Sequence, residues 1–158
     1  MIFDIHNEAD VEMIKRSIAG KRVGLTSGSY DLFHNLHLVY LQRCRRYCDL
    51  LIVGVDSDDL VRSRKGPGRP LVPEHQRVAI VSALACVQAA FILGSVKGFG
   101  DAVNLLLPEV ILKNDEIKEE ILGSDKAKVV IIPDIIQYSS TSQIIEEIIK
   151  RKIPKEVE

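Results

Sequence analysis

Short apolar runs alternate along the chain with segments in which apolar residues recur at helical spacing. The apolar runs predict five strands, at residues 22–26, 50–55, 87–93, 109–113 and 128–133. The helical spacing predicts helices at 8–19, 34–47, 73–84, 98–107 and 115–122, and a last one that begins at Ser140. Regular alternation of strands and helices is typical of a parallel sheet. We therefore predict an α/β fold, a Rossmann-like doubly wound parallel five-stranded sheet with helices on both faces.

One segment departs from this alternation. Residues 57–73 (SDDLVRSRKGPGRPLVP) carry two glycines and three prolines together with a cluster of basic side chains. We interpret the segment as a long ordered loop with room for one helical turn at its start. Because long loops inside a compact domain usually have a function, we expect this one to contribute to a binding site.

Composition narrows the class of protein. The 158 residues are 46% hydrophobic and 27% charged, with a net charge near −1, which favours one globular domain over 1–158, frayed after about residue 152. The charge gives no reason to expect nucleic-acid or membrane partners, and we see no signal peptide and no apolar run of membrane-spanning length. Three cysteines without a CxxC pair favour a reducing cytoplasm, small buried side chains and no metal site.

Polar segments follow four of the predicted strands and should meet at one edge of the sheet, where ligands bind in this architecture. They are SGSYDLFHNLH (27–37), DSDDLVRSRKGPGR (56–69), KNDE (113–116) and PDIIQYSSTS (133–142). Cations, backbone amides and helix N-termini all favour phosphate oxygens. We expect a phosphate-rich ligand there, bound by at least two of four cations: Arg62, Arg64, Lys65 and Arg69.

His34 and His37 lie three residues apart at a predicted helix start and share a face with Leu41, Cys44 and Cys48. One interpretation is a pair of hydrogen-bonded core histidines. The other is a pair of donors aimed at phosphate oxygens, since such donors stabilise the negative charge that develops during phosphoryl or nucleotidyl transfer.

Three motifs together resemble those of the small cytidylyltransferase-like nucleotidyltransferases. GSYDLFHNLH resembles the family signature G-[ST]-[FY]-D-x-x-H-x-G-H. RSRKGPGRPLVPEHQR is similar to the loop after the second strand, above all in adenylyltransferase domains that act on heptose 1-phosphate, and glycerol-3-phosphate cytidylyltransferase is a second relative. YSSTSQI resembles the I-S-T-T-x-[IL] motif at the last helix. The resemblance covers about residues 22–149.

The resemblance implies roles for matching residues. It assigns catalysis to His34, His37 and Lys65, and nucleotide binding to Gly28, Ser29, Tyr30, Asp31, Arg64, Ser139, Ser140 and Thr141. It implies Mg²⁺ as the cofactor that accompanies the nucleoside triphosphate, and we predict no metal-ligating residues in the protein itself. It also implies transfer of a nucleoside monophosphate from ATP or CTP to a phosphorylated sugar or polyol, with release of pyrophosphate. Family members often pair, so a homodimer is expected to be possible.

A second hypothesis is a relative that binds nucleotide or phosphosugar without catalysis. Two departures from the family pattern favour it: Leu36 replaces the glycine of the histidine motif, and Asp134 replaces an arginine. A dinucleotide-binding dehydrogenase fits poorly, because GLTSGSYD is not the G-x-G-x-x-G turn that such enzymes use.

Overall fold

The structure, a computed structural model, describes residues 1–114, 123, 125–133 and 141–152. The strands in these ranges are β1 Val23–Gly28, β2 Leu50–Asp56, β3 Ala89–Leu93, β4 Val110–Asn114 and β5 Lys128–Ile132. The helices are α1 Glu8–Ile18, α2 Asn35–Arg45, α3 Asp58–Lys65, α4 Glu74–Ser82, α5 Val96–Leu106 and α6 Thr141–Lys152. The helix predicted at 115–122 lies outside the described residues.

The five strands form one parallel sheet in the order β3-β2-β1-β4-β5. The chain moves outward from β1 through β2 to β3, then crosses back so that β4 lies on the other side of β1. The point where the direction reverses is therefore between β1 and β4, and the carboxyl ends of these two strands flank the crevice where ligands bind in such sheets. The predicted fold is confirmed.

Helices cover both faces of the sheet. On one face, α1 and α5 bury Ile14 and Phe99 against a core that includes Leu25 of β1. On the other face, α2 buries Leu41 and α4 buries Val81. Since both faces are covered, β2 is apolar up to its last residue, Asp56, as the continuous run LLIVGV predicted.

The segment 57–73 contains more helix than the sequence predicted. The eight residues Asp58–Lys65 form α3, and the irregular loop covers only 66–73. Ser57 caps the helix by accepting a hydrogen bond from the Leu60 N–H. Acidic side chains in the first turn and basic ones in the last complement the helix dipole. The glycines and prolines that suggested a loop begin only at Gly66.

Smaller differences concern the other elements. Helix α5 begins two residues before the predicted start, because the Ser95 hydroxyl caps it by accepting from the Gly98 N–H.

Cys44 and Cys48 are buried as predicted, while Cys86 is half-buried. Within the described ranges, the helices are all too short or too polar to span a bilayer.

Candidate active site

Side chains from separate segments meet at the carboxyl edge of β1. Lys65, the last residue of α3, donates from Nζ to the Ser29 hydroxyl at 3.1 Å. Thr141, the first residue of α6, donates from Oγ1 to the Asp31 carbonyl oxygen at 3.0 Å. Two segments that are distant in sequence therefore reach the turn after β1, as the strand-end argument predicted.

His34 and His37 form a reciprocal cap at the start of α2. His34 is the N-cap residue, and its Nδ1 accepts a hydrogen bond from the Leu36 N–H at 3.2 Å. His37 Nδ1 in turn accepts from the His34 backbone N–H at 3.4 Å. The ring centroids are 4.0 Å apart. The helix start therefore holds both rings side by side.

These caps determine the tautomer of each ring. A neutral imidazole has one N–H and one acceptor nitrogen. Because Nδ1 is the acceptor in both rings, the proton of each neutral ring is on Nε2. His34 Nε2 lies 3.2 Å from Thr141 Oγ1, whose own hydrogen is directed at the Asp31 carbonyl, so His34 donates to Thr141. His37 Nε2 makes no hydrogen bond to the described residues.

The surroundings keep both rings neutral near pH 7. Burial, with smaller electrostatic contributions from His34 and Lys65, lowers the pKa of His37 to about 3. Burial also lowers the pKa of His34 below its usual value. The pair therefore presents N–H donors without a positive charge, and the rings are half-buried rather than sealed in the core.

The turn before the histidines is strained. Tyr30 has φ 49° and Leu32 has φ 46°, a left-handed conformation that non-glycine residues seldom adopt. Each such residue costs about 1 kcal/mol or more, and persists only where surrounding contacts require it. Tyr30 is 3% exposed, and its ring packs edge-on against His37 with centroids 5.5 Å apart. The strained turn therefore packs the Tyr30 ring against His37.

Asp31, between the two strained residues, fastens the glycine–proline loop. Its fully buried carboxylate accepts hydrogen bonds from the Leu71 and Val72 N–H groups at 3.0 and 2.9 Å and from Arg69 Nε at 2.7 Å. Burial alone would raise the pKa of Asp31, but these donors lower it below its usual value. The predicted nucleotide contact of Asp31 stays a prediction, because its carboxylate is engaged by this loop.

Arg77 completes the fastening from α4, a role that the sequence analysis did not foresee. It is 1% exposed, and it donates to the Val72 carbonyl at 2.7 Å, to the Ser29 carbonyl, and to the Asp58 carboxylate at 2.7 Å. It therefore joins the loop, the turn and α3. The only sequence signal was an arginine that interrupts a run otherwise apolar on one side, EHQRVAIV.

The four cations, of which at least two are predicted to bind phosphate, have different surroundings. Arg69 is mostly buried on Asp31, and Arg62 pairs with Asp59 on the exposed side of α3 at 2.7 Å. Lys65 is exposed and close enough to His37 to affect its pKa. Arg64 also points to the sheet edge, with 45% of its side chain exposed. Phosphate binding by Lys65 and Arg64 is therefore easier to reconcile with the structure than binding by Arg69.

The remaining predicted site residues are Gly28, at the end of β1, and the hydroxyl cluster before α6. Gly28 packs against the Tyr30 ring, which an added Cβ would meet at 3.2 Å. Thr141 lies in the site. Ser139 and Ser140, like Asp134, lie outside the described residues.

Two further charged groups lie at the same edge and were not singled out from the sequence. Lys113, at the end of β4, donates to the Ser27 hydroxyl at 2.8 Å and lies 3.8 Å from the centre of the Phe99 ring. Burial lowers the pKa of Lys113 to about 8. Asp56, at the end of β2, is 4% exposed, and burial raises its pKa above the usual value.

A protein-bound metal centre has little support in the part of the chain described. Histidine, cysteine and carboxylate side chains nowhere gather there in groups of three or more that could hold a metal ion.

Comparison with known proteins adds sequence relatives. The family model described as "Cytidylyltransferase-like" matches residues 25–153. "Bifunctional protein HldE" of Syntrophotalea carbinolica is 36% identical over 137 residues, which cover 84% of this chain and 28% of that protein. "Bifunctional protein HldE" of Nitratiruptor sp. is 33% identical over 140 residues, which cover 87% of this chain and 30% of that protein. The chain thus spans less than a third of these relatives.

Solved structures share the fold at low sequence identity. The lipopolysaccharide core biosynthesis protein from Thermoplasma volcanium superposes with a TM-score of 0.62 at 24% identity, over 76% of this chain and 100% of that one. Pantoate-beta-alanine ligase from Francisella tularensis, complexed with beta-gamma ATP and beta-alanine, superposes with a TM-score of 0.58 at 13% identity, over 84% of this chain and 67% of that one.

Proposed function

Because the chain belongs to the cytidylyltransferase-like family, we propose that it transfers a nucleoside monophosphate from ATP or CTP to a phosphorylated sugar or polyol. In this reaction an oxygen of the acceptor phosphate attacks the α-phosphorus of the triphosphate and forms a new phosphorus–oxygen bond. The bond from the α-phosphorus to the oxygen that bridges to the β-phosphorus breaks, and pyrophosphate leaves with that electron pair.

The paired imidazoles are the observation that carries this proposal. Negative charge spreads over the oxygens around phosphorus in the transition state, and fixed donors aimed at those oxygens lower the barrier. His37 Nε2–H is such a donor, since its tautomer is set by the helix cap and its pKa of about 3 keeps it neutral. No nucleophilic side chain is required, because the substrate's own phosphate is the nucleophile.

Lys65 and α6 support the same ligand. Lys65 supplies a positive charge beside the turn after β1. This charge would attract the negatively charged oxygens of a bound triphosphate. The N-terminus of α6 lies next to His34 through Thr141, and helix N-termini favour anions. We assign Lys65 to phosphate binding and Thr141 to positioning His34.

We also propose Mg²⁺ as the partner of the triphosphate. Mg²⁺ in such sites is held by substrate phosphates and water with few protein ligands, which fits a described region without a three-ligand cluster. When bound, it would neutralise phosphate charge.

ATP is our first choice of donor and a sugar 1-phosphate our first choice of acceptor. The KGPGRP segment runs from the last residue of α3 into the loop and resembles the corresponding segment of adenylyltransferase domains that act on heptose 1-phosphate. Relatives named HldE are 33–36% identical over most of this chain. CTP and glycerol 3-phosphate are the second choice.

Pyrophosphate release tests the proposal. We would incubate the protein and Mg²⁺ with ATP or CTP, each paired with hexose and heptose 1-phosphates or glycerol 3-phosphate. At least one pair should release pyrophosphate, and His37→Ala should lower that rate at least ~100-fold, as expected for loss of a transition-state donor.

The matched control is His6→Ala, since His6 is exposed and its side chain has no ion pair or hydrogen bond in the described structure. It should keep the wild-type rate. An unchanged rate in His37→Ala would remove His37 from the mechanism. Thermal stabilisation by ATP or CTP without pyrophosphate release from any pair would favour the alternative, a relative that binds nucleotide without catalysis, in which Leu36 replaces the family glycine.

A further inference from the structure

A second polar cluster lies at the strand ends, on the sheet face that carries α1 and α5. It consists of Ser27 on β1, Asp56 on β2 and Lys113 on β4, three strands that are neighbours in the order β2-β1-β4. Side chains alternate along a strand, and these residues stand at even spacing from Leu25, Ile52 and Ile111, which are buried in the α1/α5 core. The histidine pair belongs to α2, which covers the opposite face, so the cluster and the pair lie on opposite sides of the same strand ends.

Asp56 has one carboxylate oxygen that the described residues leave without a partner. Its Oδ2 accepts from Arg64 Nη1 at 3.1 Å, and only 6% of the side chain is exposed. Its Oδ1 is buried and has no hydrogen bond in the structure as described. Because an unpaired buried acceptor destabilises a fold, this oxygen calls for a ligand that donates a hydrogen bond.

The charges around Asp56 indicate which other group such a ligand should carry. Arg64 and Lys113 contribute two positive charges and Asp56 one negative charge, so the cluster is positive by one. Lys113 remains largely protonated at pH 7, since its pKa is about 8. The Arg64 side chain is 45% exposed and connects the cluster to solvent. A ligand that carries both an anionic group and a hydroxyl would match this arrangement.

We propose that Asp56, Lys113 and Arg64 form the acceptor subsite, in which the two cations hold the acceptor phosphate and Asp56 Oδ1 accepts a hydrogen bond from an acceptor hydroxyl. This inference rests on the proposed function, and it identifies Asp56 as the residue that determines specificity for the acceptor. A carboxylate oxygen repels phosphate but binds a hydroxyl, so Asp56 selects polyhydroxylated phosphates. Ligands that lack the hydroxyl would leave the oxygen unpaired and would be rejected.

Direct binding measurements test the subsite without requiring turnover. Isothermal titration would compare hexose 1-phosphate with 2-deoxyhexose 1-phosphate, and glycerol 3-phosphate with n-propyl phosphate. In at least one pair the wild type should bind the hydroxylated ligand at least about 10-fold more tightly than the ligand without the hydroxyl. This is the difference expected for one hydrogen bond to a charged group. Asp56→Ala should reduce that preference below about threefold, whereas its affinity for ATP should stay within about twofold of the wild type.

Asp49→Ala is the matched control, because Asp49 pairs with Arg22 just before the opposite end of the same strand, β2. It should keep the wild-type preference. If Asp56→Ala does not fold, Asp56→Asn provides the test. Its preference for the hydroxylated ligand should be at least about threefold below that of the wild type, because a charged hydrogen bond becomes a neutral one.

Three results would overturn the inference: no wild-type preference in either pair, a preference that survives removal of the Asp56 carboxylate, or an equal loss of ATP affinity. Absence of pyrophosphate release alongside the expected binding would contradict the proposed function and leave the subsite standing.

Discussion

At the scale of single residues, the site depends on how burial changes the two histidines. Imidazole outside a protein is partly protonated near neutral pH. In this chain, burial and nearby positive charges lower the pKa of His37 to about 3, and backbone N–H groups occupy Nδ1 of both rings. The result is a pair of neutral rings, in which the Nε2–H of His34 donates to Thr141 and the Nε2–H of His37 is fixed in direction before any ligand arrives.

The depressed pKa of His37 makes stability depend on pH. Between pH 6.5 and about 3, the unfolded chain binds a proton at this residue that the folded chain does not bind. The free energy of unfolding should therefore fall as the pH is lowered through this range, by at most about 1.4 kcal/mol per pH unit from His37. His37→Gln should lose less stability between pH 7 and 5 than the wild type, measured by urea unfolding.

The same substitution at the exposed His6 should leave the wild-type dependence on pH. Parallel pH curves for the wild type and His37→Gln would contradict a strongly depressed pKa for His37.

At the scale of elements, a loop, a turn and a helix are held together through buried charges. Asp31 binds the loop through Arg69 and two backbone N–H groups, and Arg77 joins that loop to α3. Lys65 is at the end of α3, so the network sets where its ammonium group lies relative to the histidines.

We predict that Asp31→Ala destabilises the fold by about 3 kcal/mol, because removal of one partner leaves the other charge, Arg69, buried and unpaired. Urea unfolding measures the change. Asp49→Ala, which breaks an exposed ion pair with Arg22, should cause a much smaller loss. Equal losses in the two variants would mean that the loop is not fastened by Asp31.

Thr141 connects α6 to the histidines. Its hydroxyl accepts from His34 and donates to the Asp31 carbonyl. Thr141→Val keeps the shape and removes both hydrogen bonds, so we expect kcat/KM for pyrophosphate release to fall roughly 10-fold or more, at about 1 kcal/mol for each bond.

Thr141→Ser retains the hydroxyl and should restore most of the rate. If the serine variant were as slow as the valine variant, the retained hydroxyl would not be enough for the rate, and side-chain packing at this position would have to contribute.

At the scale of the whole molecule, the order of strands brings the site together. β1 lies at the centre of the sheet, and the direction of the chain reverses between β1 and β4. The ends of β1, β2 and β4 therefore face one crevice, with the histidines on one side and the Asp56 cluster on the other. A homodimer and a cytoplasmic location stay predictions.

Ligand binding should raise the stability of the whole folded chain. ATP with Mg²⁺ at 100 times its dissociation constant should raise the free energy of unfolding by about 2.7 kcal/mol, seen as a higher Tm in a thermal scan. Addition of EDTA should remove most of the gain, since phosphate charges would then repel one another at the site. The same Tm with ATP whether or not EDTA is added would contradict a role for Mg²⁺.

The sequence alone determined the alternation of strands and helices, the doubly wound sheet, and the place where the histidine, glycine–proline and hydroxyl motifs should meet. These features follow from local periodicity and from the order of motifs along the chain. The extent of α3 was missed because glycines and prolines at 66–73 masked a capped helix before them.

Only the tertiary structure decided what the individual charges do. Among the basic residues of one segment, Arg69 is buried on Asp31 while Lys65 stays exposed. One oxygen of Asp56 finds no hydrogen bond among the described residues. Tautomer, pKa and pairing depend on burial and on partners that are distant along the chain, and spacing in the sequence carries no measure of either.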